Sequence, residues 1–475
     1  MIDSSLFYDL KIIYPVTAVA AGGIVSLATE SFLSSEGKHK ILPWINISFL
    51  AIAAFMLKFL SGNFSDPWNL FAMHAVNEVF LYTALFCAFL GTVGLQNTLR
   101  NNNMNRGEAY SLLMLSSAGI MLMVMSRDLM PLFLGMELAS FPIYALIAMN
   151  KNSKRSNEAA FKYFISGSLF SAVFLYGIAL FYGSTGSTLI SSNVLAERET
   201  IYQAAILMLS FGLLFKVGAF PLHFWVADAY TGALAAITGY MAAAVKVGAF
   251  VALGTIWISL FESSASLIVA REAVLFLCLG LASLVVGAVA GLVQRSAKRI
   301  LAFSAIANAG FILFGFCYPY FANLHEPDLN SAFYFLLTYA LGSMGALVGI
   351  SALTPKDSDN MEDLRGAAKR NPFLGICVSV CLASLAGLPI AAGFLAKFRI
   401  FASLVQASIE NNAIWGLAIV AFVLAITSAA YYVRIIYFMW SNATEKKHFQ
   451  VSTLLNTGVA ATVVLLLALA VYMPM

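Results

Sequence analysis

The sequence predicts an all-α integral membrane protein of about fourteen transmembrane helices, with two inverted five-helix repeats and breaks in helices 7 and 12. Three observations predict it. Of the 475 residues, 61% are hydrophobic and 11% charged, where a soluble protein is about a quarter charged. Apolar runs recur from Ile12 to Met473 with no polar linker long enough to divide the chain. Several ionisable residues nevertheless stand inside those runs. Mean hydropathy is +0.85, so a water-soluble fold has no means of hiding the apolar surface.

A spanning helix needs about 20 mostly apolar residues, because hydrocarbon offers the backbone no partner and a helix bonds its own. This rule places spans near 11–33, 41–61, 70–97, 109–126, 128–150, 158–185, 201–226, 233–260, 272–293, 299–320, 330–353, 372–407, 412–440 and 451–474. The twelfth is too long for one straight crossing. Pro389, Gly387 and Gly393 lie inside it and predict a broken helix, and Pro221 interrupts the seventh in the same way. The chain reads as one membrane domain, 1–475. Within it, 1–108 holds helices 1 to 3, 109–261 the first repeat, 272–440 the second and 451–475 the last helix. Five is an odd number, so a second set of five runs inverted relative to the first. Lys216 and Lys397 then occupy equivalent fourth helices.

Topology follows from basic residues, which concentrate in short cytoplasmic loops. One side carries Lys38, Lys40, Arg100, Arg106, Lys151, Lys154, Arg155, Arg295, Lys298, Arg299, Lys356, Arg365, Lys369, Arg370, Lys446 and Lys447; the other carries only Arg127, Arg198 and Arg271. The rich side is expected to be cytoplasmic, with both termini on the opposite side. The start, MIDSSLFYDLK, has no basic stretch before its apolar run, so the first helix is expected to be retained rather than cleaved.

Several function classes are disfavoured. The net charge of +4 is spread over scattered loops rather than gathered in a patch, which argues against nucleic acid. The cysteines (Cys87, Cys278, Cys317, Cys377, Cys381) lie in apolar runs without a CxxC pair, and are read as packing residues. The histidines (His39, His74, His223, His325, His448) show no ligand spacing, and neither GxGxxG nor a P-loop occurs. No metal, nucleotide or redox centre is expected in this chain.

The chemistry resides in buried charge. Lys216, in LSFGLLFKVGAFPLHFW, and Lys246, in YMAAAVKVGAF, are flanked by apolar sequence near the middle of their helices. A central charge costs about 2.5–3.5 kcal/mol on insertion scales, so each is expected to face the bundle interior with a partner or a water file. Glu137, in PLFLGMELASFPIYAL, is the matching case of opposite sign. Desolvation penalises an ammonium and a nearby carboxylate restores it, so a lysine whose glutamate can approach or withdraw is a switchable proton holder. The competing reading is a fixed ion pair that only orients helices. Lys397, in LAGLPIAAGFLAKFRIF, repeats the theme in the broken twelfth helix; Arg399 is expected to be interfacial or paired. His223 is a possible relay or a structural histidine. Tyr163, Tyr334, Tyr339, Ser304 and Asn308 are candidates to hold water, or merely to bridge helices. Lys11, Lys58, Lys162 and Arg434 lie near helix ends and are expected to snorkel.

At these residues the chain resembles the antiporter-like subunits of bacterial respiratory complex I (NADH:quinone oxidoreductase), and among them the subunit-N branch. The resemblance is carried, in order, by LGMELASFPIYALIA, EAAFKYFISGSLFSAVFLYGIALFYGSTGS, FKVGAFPLHFWVADAYTGA, QRSAKRILAFSAIANAGFILFG, LRGAAKRNP, SLAGLPIAAGFLAKF and SAAYYVRIIY, over most of residues 130–440. It implies that Glu137 and Lys216 form the family's charged pair, that Lys246 is the central relay and that Lys397 is the terminal lysine. Lysine at 397, where the sister subunit M has glutamate, favours the N branch. It further implies a bacterial inner-membrane protein whose partners are other membrane-arm subunits, with FMN, iron–sulfur clusters and the quinone site on those partners, and proton movement driven by quinone reduction elsewhere. A subunit of a multisubunit sodium/proton antiporter or membrane-bound hydrogenase is the alternative within the fold. A scaffold whose charges only hold helices together is the alternative outside it. Two departures stand out: Leu234, Ala235 and Ala236 replace a proline-rich turn, and Asn308 replaces a histidine.

Overall fold

Each apolar run folds into a helix because only a helix satisfies its backbone away from water, and several of those helices start on a capping side chain. The computed structural model describes all residues except 1–10, 61–63, 67, 192–193, 196–197, 263–265, 325, 355–356, 390, 411, 443–450 and 472–475. His325, Lys356, Lys446, Lys447, His448 and Met473 therefore lie outside the described residues. Among the described residues, 14 helices are long and apolar enough to cross a membrane.

In chain order the helices are α1 (Tyr14–Glu30), α2 (Ser35–Phe59), α3 (Ala75–Asn101), α4 (Glu108–Met125), α5 (Leu129–Ile147), α6 (Lys154–Thr185), α7 (Glu199–Val217) and α8 (Val226–Gly232). Then come α9 (Ala235–Tyr240), α10 (Lys246–Glu262), α11 (Ser266–Val293), α12 (Ala297–Phe321), α13 (Asn330–Leu353), α14 (Pro372–Ala386), α15 (Ala392–Glu410), α16 (Ala413–Trp440) and α17 (Thr453–Val471). A two-residue hairpin, β1 (Phe64–Ser65) with β2 (Ala72–Met73), closes the loop before α3. Ser34, Asp128, Ser153, Ser296 and Asn371 each accept a hydrogen bond from an amide in the first turn of the helix they cap.

The two repeats are visible in the packing. Helices α4 and α5 open the first set and α11 and α12 the second, and each pair meets glycine against glycine, Gly119 on Gly135 and Gly280 on Gly310, so that backbones touch. The third member is α6 or α13. The fourth is a broken helix, α7 with α8 or α14 with α15, and the fifth is α9–α10 or α16. Helices α12 and α13 form the centre of the molecule and are buried along nearly their whole length.

Both breaks are made by a glycine in the left-handed region, Gly218 (φ 70°) after α7 and Gly387 (φ 78°) after α14. A side chain there would cost roughly 1–2 kcal/mol of backbone strain. In the seventh span the helix thus ends at Val217, four residues before the expected proline, Pro221, because the Gly218 amide turns back onto the carbonyls of Leu214 and Phe215. The eighth span holds a feature the sequence did not announce, a π-helical turn at Met241–Val245 immediately before Lys246. Such wide turns re-aim the residue that follows and recur at functional sites.

The loops separate as the basic residues predict. Residues of four alternate loops, including Asn102, Arg106, Asn150, Lys151, Ala233 and Asp357, line one polar cavity of about 760 Å³ together with Lys298. Loops of the other parity, with His74, Arg127, Ile190 and Glu262, line a cavity of about 210 Å³. Lys298, expected in a loop, instead sits in the first turn of α12 and is buried.

Candidate functional site

Lys216 occupies the last turn of α7, where the chain breaks, and is only 2% exposed. Its ammonium donates to Ser140 Oγ at 2.8 Å and to Tyr144 OH at 3.4 Å, both on α5, and lies 5.9 Å from the Tyr144 and Phe215 ring centres. Glu137 is one helical turn before Ser140. Its carboxylate accepts a hydrogen bond from Ser171 on α6. The pair implied by the resemblance is therefore not a direct contact: among the described residues Lys216 and Glu137 form no ion pair, Lys216 bonding Ser140 and Glu137 bonding Ser171. Glu137 is half-buried and lies on the helical stripe of exposed Leu134 and Phe141, at the edge of the bundle.

Lys246 follows the π-helical turn and donates to the Ala305 carbonyl of α12 at 2.5 Å, with its ammonium 5.5 Å from the Tyr339 ring centre. Lys397, on α15, reaches back across the break to donate to the carbonyls of Ala386 and Leu385 at 2.9 and 3.0 Å. These carbonyls end α14, where the helix dipole presents negative charge. Both lysines are buried, and main-chain oxygens rather than carboxylates solvate them. Lys216 and Lys397 thus occupy equivalent broken helices but opposite halves, one before its glycine and one after.

Tyrosines lie between these lysines. Tyr144 packs edge-on against Tyr163 with ring centres 4.9 Å apart. Tyr163 in turn stacks on Trp225 with ring centres 4.2 Å apart, immediately before α8, which carries Tyr230. The hydroxyls of Tyr230 and Tyr339 are buried with no hydrogen-bond partner among the described residues. Tyr339, Asn308, Thr338, Ser384 and Lys397 line a cavity of about 10 Å³, room for about one water. Asn308 donates to Tyr432 OH at 3.0 Å, and Ser304 is bonded to the same hydroxyl.

The structure thus brings Glu137 and Lys216 to one end of a polar row, and Lys246 and Lys397 around Tyr339 at the other. Tyr163, Tyr339, Ser304 and Asn308 border it. Tyr334 does not: its hydroxyl donates to the Leu469 carbonyl at 2.9 Å, and Arg399 stacks on its ring at 4.5 Å. His223 lies in the break after α7, stacked on Phe220, with Nδ1 buried and unpartnered among the described residues. No hydrogen bond joins it to Lys216 among the described residues. Sequence reasoning missed Ser140, Tyr144, Ser171 and Tyr230, as well as Glu272, a buried carboxylate on α11 that accepts from Ser210 at 3.0 Å. The α5 spacing of Glu137, Ser140 and Tyr144, three and four residues apart on one face, was the available signal.

Fourteen membrane-length helices among the described residues, two five-helix sets and lysines at both helix breaks define a polytopic membrane protein of antiporter-like architecture. The family model described as "NADH:quinone oxidoreductase/Mrp antiporter, TM" matches residues 126–427, and the chain belongs to this family. It is similar to NADH-quinone oxidoreductase subunit N of Maricaulis maris (strain MCS10), 31% identical over 451 residues covering 94% of this chain and 91% of that one. Subunit N of Hydrogenovibrio crunogenus (strain DSM 25203 / XCL-2) is 36% identical over 389 residues, 78% of this chain and 77% of that one. In structure the chain resembles a chain of respiratory complex I from Thermus thermophilus with TM-score 0.78, 30% identity and 96% coverage of both. A chain of the Mrp complex from Dietzia sp. DQ12-45-1b, TM-score 0.80 over 98% of this chain and 94% of that one, shares the fold at 18% identity.

Proposed function

We propose that this chain is a proton-translocating membrane-arm subunit of an NADH:quinone oxidoreductase, the assembly named for its curated relatives. The observation that supports it is the set of ionisable groups inside the bundle, from half-buried Glu137 and buried Lys216, with Tyr144 and Tyr163 beside them, to buried Lys246 and Lys397. Electron carriers, FMN, iron–sulfur clusters and quinone reside on partner subunits. The rich basic face is cytoplasmic and the termini face the other side.

The steps assigned to these residues are proton transfers. Lys216 holds a proton between Ser140 and Tyr144 while the Glu137 carboxylate, one turn away, stabilises the ammonium. When Glu137 withdraws, that stabilisation fades and the proton leaves. Tyrosine hydroxyls and waters both donate and accept, so Tyr144, Tyr163, Tyr230 and Tyr339 pass it inward to Lys246. Lys397 takes it from the small cavity it shares with Tyr339 and Asn308. Asn308 orders this cavity but carries no titrating proton. His223 serves as a side relay in the break. Each charge moved against 100 mV costs about 2.3 kcal/mol, which partner subunits supply through quinone reduction.

The test uses the assembled enzyme in proteoliposomes. Lys216→Ala assembles and reduces quinone but takes up fewer protons per electron; an unchanged ratio refutes the proposal. Subunit-N relatives weigh against the sodium/proton antiporter alternative, and the absence of sodium-dependent uptake in the same vesicles would exclude it.

A further inference from the structure

The 760 Å³ cavity on the basic face has an unusual floor. Lys298 donates to Asp357 Oδ2 at 2.8 Å and to the Ala233 carbonyl at 3.0 Å, and both side chains of the ion pair are 5% exposed. The same Oδ2 accepts the Ala235 amide at 2.9 Å. This bond opens α9 at the point where the sequence lacks the proline-rich turn. Asp357 adopts a left-handed backbone (φ 57°), and its bonds to Lys298 and the Ala235 amide hold its carboxylate. One oxygen is thereby crowded. The other, Oδ1, is buried with no hydrogen-bond partner among the described residues, although Asp357 lines the cavity. A buried acceptor left open costs about 1–3 kcal/mol, more when charged, and such groups call for an explanation.

We infer that Asp357 Oδ1 is the site where protons enter the chain from the cytoplasmic water, the polar cavity being their vestibule. This rests on the translocation reading above and assigns the mouth that reading leaves open. A metal cation fits poorly, since one open carboxylate oxygen beside an ammonium is far from the six or more oxygens a hard cation takes. A proton needs only one. The transfer breaks the O–H bond of a donor HA in the cavity, forms O–H at Oδ1 and returns A⁻ to the water. Exposed Lys151 on the rim, with half-buried Arg106 beside it, draws in anionic carriers such as dihydrogen phosphate. Asp359 is held by Arg155 at 3.1 Å, so it does not compete for Lys298. Burial raises the Asp357 carboxyl above its ordinary value, with Lys298 the main opposing influence and Asp359 adding to the rise. On the inner wall of the cavity, Thr231 is the residue that follows Tyr230 in α8.

The experiment compares the wild-type complex, Asp357→Asn and Lys216→Ala in proteoliposomes, measuring protons taken up per quinone reduced in phosphate and in a bulky zwitterionic buffer. Asp357→Asn should slow uptake about tenfold in the bulky buffer and recover in phosphate, which fits the cavity and supplies the missing base. A wild-type rate, or a loss that phosphate leaves unchanged, overturns the assignment. Because Asp357→Asn strands Lys298, a second arm places a cysteine at exposed Asn150 on the rim and modifies it with a bulky impermeant thiol reagent. Slowed uptake supports the vestibule, and full modification with an unchanged rate overturns it. If Lys216→Ala loses uptake while Asp357→Asn keeps it, the entry site alone falls. If Lys216→Ala keeps it, the translocation reading falls first.

Discussion

Lys397 donates from Nζ to the Ala386 carbonyl at 2.9 Å, across the gap opened by Gly387. A cation on one half of a broken helix therefore closes the exposed carbonyl end of the other. This bond ties the charge state of Lys397 to the geometry of the break, since loss of the proton removes a charge-assisted hydrogen bond from the end of α14. The helix break and the buried cation are one structure here.

Gly387→Ala tests that coupling. A Cβ at 387 would stand 2.8 Å from Lys397 Cδ, and the left-handed backbone adds roughly 1–2 kcal/mol of strain. The substitution should reduce proton uptake sharply while the complex still assembles. Gly416→Ala on α16, where nothing lies within 4 Å, is the control and should be silent. Equal effects of the two in a proton-uptake assay would show that Gly387 matters only as a helix residue.

Ser140→Ala tests the link between Glu137 and Lys216. It removes the 2.8 Å acceptor from a buried ammonium, a loss of roughly 1.5–3 kcal/mol for a hydrogen bond to a charged group. Tyr144 remains as a weaker acceptor at 3.4 Å. Uptake per electron should fall less than in Lys216→Ala, and Ser140→Thr, which keeps the hydroxyl, should restore it. Failure of threonine to restore it would assign the loss to packing.

Much of this arrangement was legible in the sequence, and the reason is hydrocarbon. Because lipid forbids unsatisfied backbone and penalises charge, span number, loop parity and the inward placement of Lys216, Lys246 and Lys397 follow from composition and spacing. Side-chain partners do not follow. Whether Lys216 meets Glu137 or Ser140 depends on a fraction of a helical turn, which apolar flanks leave undetermined. Glu272, beside Arg271 near a span end, carries no sequence signal of its own, yet its carboxylate turns inward to Ser210. Lys298 and Asp357, 59 residues apart, read as two loop charges until the fold buries them together.

Tyr230→Phe separates structure from transport. The hydroxyl has no protein partner among the described residues, so its removal costs no hydrogen bond within the chain, and thermal stability of the complex should be unchanged. If that hydroxyl anchors water between Tyr163 and Tyr339, uptake falls at constant stability. Proton uptake and a melting curve on one preparation decide it, and a variant that pumps normally removes Tyr230 from the row.

The Lys298–Asp357 pair gives a prediction about stability. Lys298→Ala leaves a carboxylate buried without its cation, and breaking a buried pair from one side costs about 3–5 kcal/mol. Removing both charges, as Lys298→Met with Asp357→Asn, costs much less, because no isolated charge remains and the methionine stem fills the space of the lysine. The amount of assembled complex should therefore rank wild type, then the double variant, then Lys298→Ala. The double variant keeps a fold but lacks the carboxylate, so it should assemble well and take up protons slowly. Assembly and transport then respond to different parts of one ion pair: assembly to charge balance, transport to the open oxygen. A double variant that both assembles and pumps like the wild type would leave the pair with no part in either.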